Sequence, residues 1–142
     1  MQNDTYRSPD GAFSTDNPVL AAMQREADGI QAFLGIPLNM EDPAAMIYRL
    51  RDLDVYLARL SDMMIRAKTL RDSAKYSYIQ ENEDRLNKLS ATVSNRQIDS
   101  FLLPFAATYN RLETMYHTTE VLSRNLVTQI SYIKKQMECF GG

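Results

Sequence analysis

Tryptophan is absent from this chain of 142 residues, and histidine and cysteine occur once each. Glycine and proline are limited to five apiece. A lone thiol, Cys139, cannot close an internal disulfide, so a disulfide-stapled scaffold is excluded. The single histidine, His117, has no His-Cys or His-Asp motif around it. With few glycines and prolines, turns are few, and long helices are favoured over a sheet with many reversals. No run approaches the roughly 18–20 apolar residues that cross a bilayer. The opening residues MQNDTYRSPDGAFSTDN have neither a basic nor an apolar block, so they do not read as a secretory signal. The lone thiol fits a reducing compartment or a virion, and a cytoplasmic location with no membrane partner is expected.

What is present is an ordinary globular mixture, 44% hydrophobic and 24% charged, with eight Met and eight Tyr. The net charge of −2 is unevenly distributed. Residues 1–42 hold two basic against seven acidic residues, and residues 43–142 hold fourteen against eleven. An excess of three positive charges is small for a nucleic-acid binder.

Residues 1–17 have turn and disorder composition, including Ser8-Pro9-Asp10-Gly11, and are expected to form a flexible acidic tail. A first short helix is expected over 18–34. Asn17 is placed to cap it and Pro18 to open it. Its apolar stripe is Leu20, Met23, Ala27, Ile30 and Leu34. Asp42-Pro43 repeats the same start signal. A second helix is expected over about 43–89, with Met46, Leu50, Leu53, Leu57, Leu60, Met64 and Ala67 in heptad spacing. Past Ala67 the phase drifts. Residues 90–95, Ser-Ala-Thr-Val-Ser-Asn, read as the turn. A third helix over about 98–140 carries the most regular stripe of the chain, from Ile98 and Leu102 to Met137 and Phe140. Pro104 either kinks this helix or marks its start.

Two long helices joined by a short turn predict an all-α fold, a coiled-coil-like antiparallel hairpin plus one short N-terminal helix, in a single domain over 18–142. Centring the hairpin on Val93 pairs Leu57 with Ile130, Leu50 with Met137 and Tyr78 with Tyr109. Such a hairpin cannot bury every apolar side chain. Ile47, Val55, Tyr56, Met63, Ile65, Leu103, Met115, Val121, Leu122, Val127 and Tyr132 fall off the seam. Large apolar patches are rarely left bare, so a homo-oligomer or a second protein is the expected partner.

Signs of chemistry are sparse. Acidic residues at 81, 83 and 84 lack the glycine and spacing of a calcium loop. No phosphate-cradling Gly-rich loop occurs, and no Glu-x-x-His pair. The chain is therefore read as non-enzymatic, with no cofactor and no metal. Thr119 and Ser123 form a polar layer in the seam, of the kind that fixes register. Lys68, Arg71 and Lys75 share one helix face near Tyr76 and Tyr78 and are the candidate nucleic-acid contact. Asp62 and Asp72 dilute them, and a solvated face is the simpler reading.

The run Ala67-Lys-x-Leu-Arg-x-x-Ala-Lys75, the Lys88-Leu-Ser-Ala-Thr92 turn and the Leu126-x-x-Gln-Ile-Ser-Tyr-Ile-Lys134 close resemble small helical proteins encoded by bacteriophages and prophages. The likeness covers roughly residues 60–137. It implies a virion component or an accessory factor of recombination, and carries no functional residue across. The expectation is a helical assembly or adaptor protein acting by protein–protein contact and self-association. The alternative is an accessory nucleic-acid factor.

Overall fold

The computed structural model describes residues 17–140; the expected flexible tail before Asn17 and the closing glycines lie outside that range. The described residues form four helices and no strand: α1 (Pro18–Leu34), α2 (Pro43–Glu81), α3 (Glu83–Asn87) and α4 (Ala91–Phe140). The two long helices, α2 and α4, pack against each other as an antiparallel hairpin.

Both early helix starts are set as the sequence specifies. Asn17 Oδ1 accepts from the backbone N–H of Val19 at 3.0 Å and of Leu20 at 3.2 Å. Asp42 Oδ1 accepts from Ala44 N–H at 3.1 Å and Ala45 N–H at 3.2 Å. Each cap satisfies donors that a helix start leaves without intrahelical partners, and each is followed by proline, whose missing N–H costs nothing there.

The hairpin tip differs from expectation. The second helix does not run to Leu89: it breaks at Asn82, whose backbone leaves the helical region at φ −118°, ψ 17°. Asn82 Nδ2 donates to the Tyr78 carbonyl at 2.8 Å, offering that group a side-chain partner at the helix end. The short α3 then sends Leu86 into the core. Residues 91–95 are not the turn. Ser90 ends it, and its Oγ accepts from Val93 N–H at 3.3 Å, so α4 begins at Ala91 rather than near 98. Pro104 therefore lies inside α4, thirteen residues from its start, and the helix continues through it. The carbonyl one turn before Pro104 loses its donor.

Moving the turn moves the pairing. Tyr78 stacks on Phe101, with ring centroids 4.3 Å apart, and not on Tyr109, eight positions further along. Tyr109 instead lies under the Arg71 guanidinium. Leu53 and Met46 share a cluster with Leu126, packed by Ile130 and Ile133. The whole register is thus slid by eight residues from the one centred on Val93.

Helix α1 lies across the middle of the hairpin, antiparallel to α2 and parallel to α4. Gln24 Nε2 donates to Thr108 Oγ1 at 3.0 Å, and Arg111 reaches Asp28 at 2.6 Å and Gln31 at 2.9 Å. On the other side Arg59 holds Glu26, and Phe33 packs on Tyr56 at 4.7 Å between centroids. The α1 stripe of Leu20, Met23, Ala27 and Ile30 joins Leu60, Met63, Ala67, Leu112 and Met115 in the main core. Three helices meet there. Beyond α1 the hairpin is α2 and α4, joined at the tip only by the short α3.

Candidate functional site

The off-seam apolar residues separate into two groups. Met63 and Met115 are not surface candidates: both are buried in the main core, because α1 covers the side of the hairpin they face. Tyr56 is half-buried against Phe33 and belongs to the α1–α2 contact. The sequence placed α1 correctly but did not say which side it covers.

Ile47, Val55, Val121, Leu122, Val127 and Tyr132 do remain exposed, Val55 at 66% and Tyr132 at 57%. The observed register places them along the same length of the hairpin. Ile47 and Val55 lie on the first half of α2, which runs beside residues 121–133 of α4. All six therefore sit on the half of the hairpin that holds Pro43, called here the open half. Ile65 and Leu103, also exposed, lie outside this group.

An apolar groove of about 270 Å³ opens in the same half, where α1 ends. Leu34, Ile36, Leu38 and Met40 form one wall, and Leu53, Leu122 and Leu126 the other. Arg49 holds its rim: the guanidinium lies 4.7 Å from the Phe33 ring centroid and donates to the Ile36 carbonyl at 3.0 Å. Ile36, Leu38 and Met40 belong to the connector between α1 and α2. Leu38 is half-buried, but Ile36 and Met40 are exposed. Tyr48 and Phe140, both exposed, were also missed as surface candidates. Phe140 had been assigned to the seam by its spacing, and at 89% exposure it has no seam to join.

The basic candidates do not form a bare cationic face. Arg71 is half-buried, lies 5.8 Å from the Tyr109 ring centroid and pairs with Asp72 at 3.6 Å. Lys75 and Arg71 line a cleft of about 400 Å³ that also holds Asp72 and Asp99. Two carboxylates beside two cations leave little net field for a phosphate backbone. Lys68 is exposed on the same helix.

The polar seam layer is self-contained. Thr119 is fully buried and its hydroxyl donates to the Met115 carbonyl at 2.7 Å, one turn earlier on its own helix. Ser123 is half-buried. Thr108, missed by sequence, is the buried hydroxyl that links two helices: it donates to the Pro104 carbonyl at 2.9 Å and accepts from Gln24. Among the described residues every buried side-chain polar atom has a partner.

Titratable groups are mostly at the surface. His117 is exposed, with Glu113 at 4.0 Å as its acidic neighbour. The Glu26 carboxyl is held below its ordinary range, chiefly by the hydrogen bond from Arg59, against an opposing desolvation. That pair clamps α1 to α2, with Asp62 also on Arg59 at 3.0 Å. Among the described residues no three His, Cys, Asp or Glu side chains gather as a metal site, and no helix is long and apolar enough to cross a membrane. The open half is where the exposed apolar residues and the apolar groove coincide. No family model, curated protein or solved structure matches this chain.

Proposed function

We propose that this protein is a non-enzymatic helical assembly or adaptor protein that works through protein–protein contact, with the open half as its contact surface. One observation carries the reading: the exposed off-seam side chains Ile47, Val55, Val121, Leu122, Val127 and Tyr132 converge on one half of the hairpin. Single surface apolar residues are ordinary, but their accumulation along one length of the hairpin, with Leu122 lining an apolar groove, supports a contact role. The groove at the α1 end and the exposed Ile36 and Met40 extend the same surface. The likeness of residues 60–137 to phage-encoded helical proteins supports a virion or assembly role of this kind.

Light scattering coupled to size exclusion, at low and at high salt, tests it. The expected result is a mass above one chain at both salts, because apolar contact is not weakened by screening. Val55→Glu combined with Val127→Glu should lower that mass without changing the far-UV circular dichroism. A single-chain mass at every concentration, with no second protein retained on the open half, contradicts the reading. Association that weakens steeply with salt would instead favour nucleic acid at Lys68, Arg71 and Lys75.

A further inference from the structure

Helix α1 is matched to the α2–α4 hairpin by its side chains and joined to it only through residues 35–42. Its stripe of Leu20, Met23, Ala27 and Ile30 packs in one core with Leu60, Met63 and Met115. Charge pairs flank that stripe on both sides: Glu26 on Arg59 of α2 at 2.8 Å, and Asp28 on Arg111 of α4 at 2.6 Å. These contacts specify which helix lies there and in which direction, but not which chain supplies it. The connector is unlike an ordinary polar loop. Ile36, Leu38 and Met40 occupy every second position, the spacing of an extended segment with one apolar side. Pro37 disfavours a helical turn at Ile36 and keeps the segment open. In the single chain that apolar side is left partly bare: Ile36 and Met40 are exposed at the edge of the groove of about 270 Å³. Few bonds hold the bend before α2. Asn39 Oδ1 accepts from Glu41 N–H at 3.0 Å, and Asp42 N–H donates to the Asn39 carbonyl at 3.2 Å.

We infer that two copies of this chain exchange α1, each laying it on the hairpin of the other and crossing between them at residues 37–41. Exchange is a low-cost route to a dimer because every contact of α1 is kept. Glu26 meets Arg59 of the partner subunit, and Asp28 meets Arg111 of the partner subunit. Arg49 donates to the Ile36 carbonyl at 3.0 Å, so Ile36 travels with α1 and the hinge begins after it. Only the connector changes its surroundings. Extended, residues 37–41 span about 16 Å, which sets the two open halves facing each other across the two-fold axis. There the connectors run past one another, and each covers the apolar side of the other over the groove. The gain from exchange is the burial of Ile36 and Met40, which the single chain leaves to water.

The exchange rests on the self-association proposed above, and the full-length chain tests both separately. One variant, Glu26→Arg with Asp28→Arg, reverses the charges of α1. A second, Arg59→Glu with Arg111→Glu, reverses those of the hairpin. Each variant alone sets like charges against each other at both clamps. Refolded together, they match every clamp only in a mixed dimer that has exchanged α1. Native mass spectrometry, with a mass tag on one variant, should show the mixed dimer well above its share under random pairing. The mixture should also melt higher than either variant. A random share with no higher melt would overturn the exchange and keep the contact role. All four substitutions in one chain re-form the clamps and should restore the wild-type melt. Ile36→Ser with Met40→Ser alters no buried side chain of the single chain, and should raise the dimer dissociation constant at least about tenfold. An unchanged constant would overturn the crossing at the connector, whether or not the charge variants fold. A wild type that stays a single chain would overturn the exchange outright.

Discussion

At the scale of single residues, most of the specificity of this hairpin comes from polar groups that tie α1 down. Arg59 bridges Glu26 and Asp62, and Arg111 bridges Asp28, Gln31 and the Gln24 carbonyl. These groups are partly exposed, so each clamp contributes modestly, within about 1 kcal/mol. The Glu26 clamp is pH-dependent in a defined direction. Its carboxyl titrates lower in the folded chain than in the unfolded one, so its contribution is present above the unfolded carboxylate range near 4.5 and is lost as pH falls through the folded value. Glu26→Gln should flatten the acid limb of a stability-against-pH curve and leave stability near pH 7 lower by less than about 1 kcal/mol. An acid limb identical to that of the wild type would show that the clamp is not formed in solution. None of these long-range polar pairs was legible in the sequence. Arg111 and Asp28 are separated by 83 positions, and only the placement of α1 makes them neighbours.

Among the helices, legibility followed the strength of local signals. The bounds of α1 and the start of α2 were readable because a capping Asn or Asp precedes a proline, and both side chains cap as expected. The tip was not. Ser90-Ala-Thr-Val-Ser-Asn95 has loop composition, yet only Ser90 is outside the helix, because one N-cap suffices and the following residues tolerate helical geometry. Asn82, the residue that breaks α2, carries no flanking glycine or proline to announce it. That single misplacement propagated to every pairing along the seam, since a hairpin has no second reference point for its register. The lower seam depends on few residues: Met46, Leu53 and Leu126 are its only buried members. Leu126→Asp places a carboxylate among them and should cost at least about 4 kcal/mol, the sum of a lost core side chain and an unpaired charge. A thermal melt that does not move would contradict the seam as described.

For the whole molecule, the fold class was legible from periodicity, but the split of apolar residues between core and surface was not. A heptad stripe describes a two-helix seam. Met63 and Met115 lie off that stripe and are buried by a third helix, while Met137 and Phe140 lie on it and are exposed because nothing covers them. Which residues are free for a partner is thus decided by where α1 starts and stops. The same arrangement predicts a gradient of stability. Amide hydrogen exchange should be slowest around Leu60 and Leu112, where three helices meet, and faster toward Asn82 and toward Tyr132, beyond the reach of α1. Uniform protection along α2 and α4 would contradict a three-helix centre.

The placement of α1 also sets an order of events during synthesis. Its stripe of Leu20, Met23, Ala27 and Ile30 leaves the ribosome early, whereas the α4 surface it needs follows more than eighty residues later; Gln24 and Thr108 are 84 positions apart. At about 5–20 residues per second that interval is on the order of 4–17 s. Until then the apolar stripe of this 17-residue helix has only α2 residues such as Leu60 and Met63 to pack on, and its α4 side is unmatched. Exposed apolar surface of this kind is what makes partly made chains prone to aggregate, and a slow-translating stretch between α2 and α4 would lengthen that exposure.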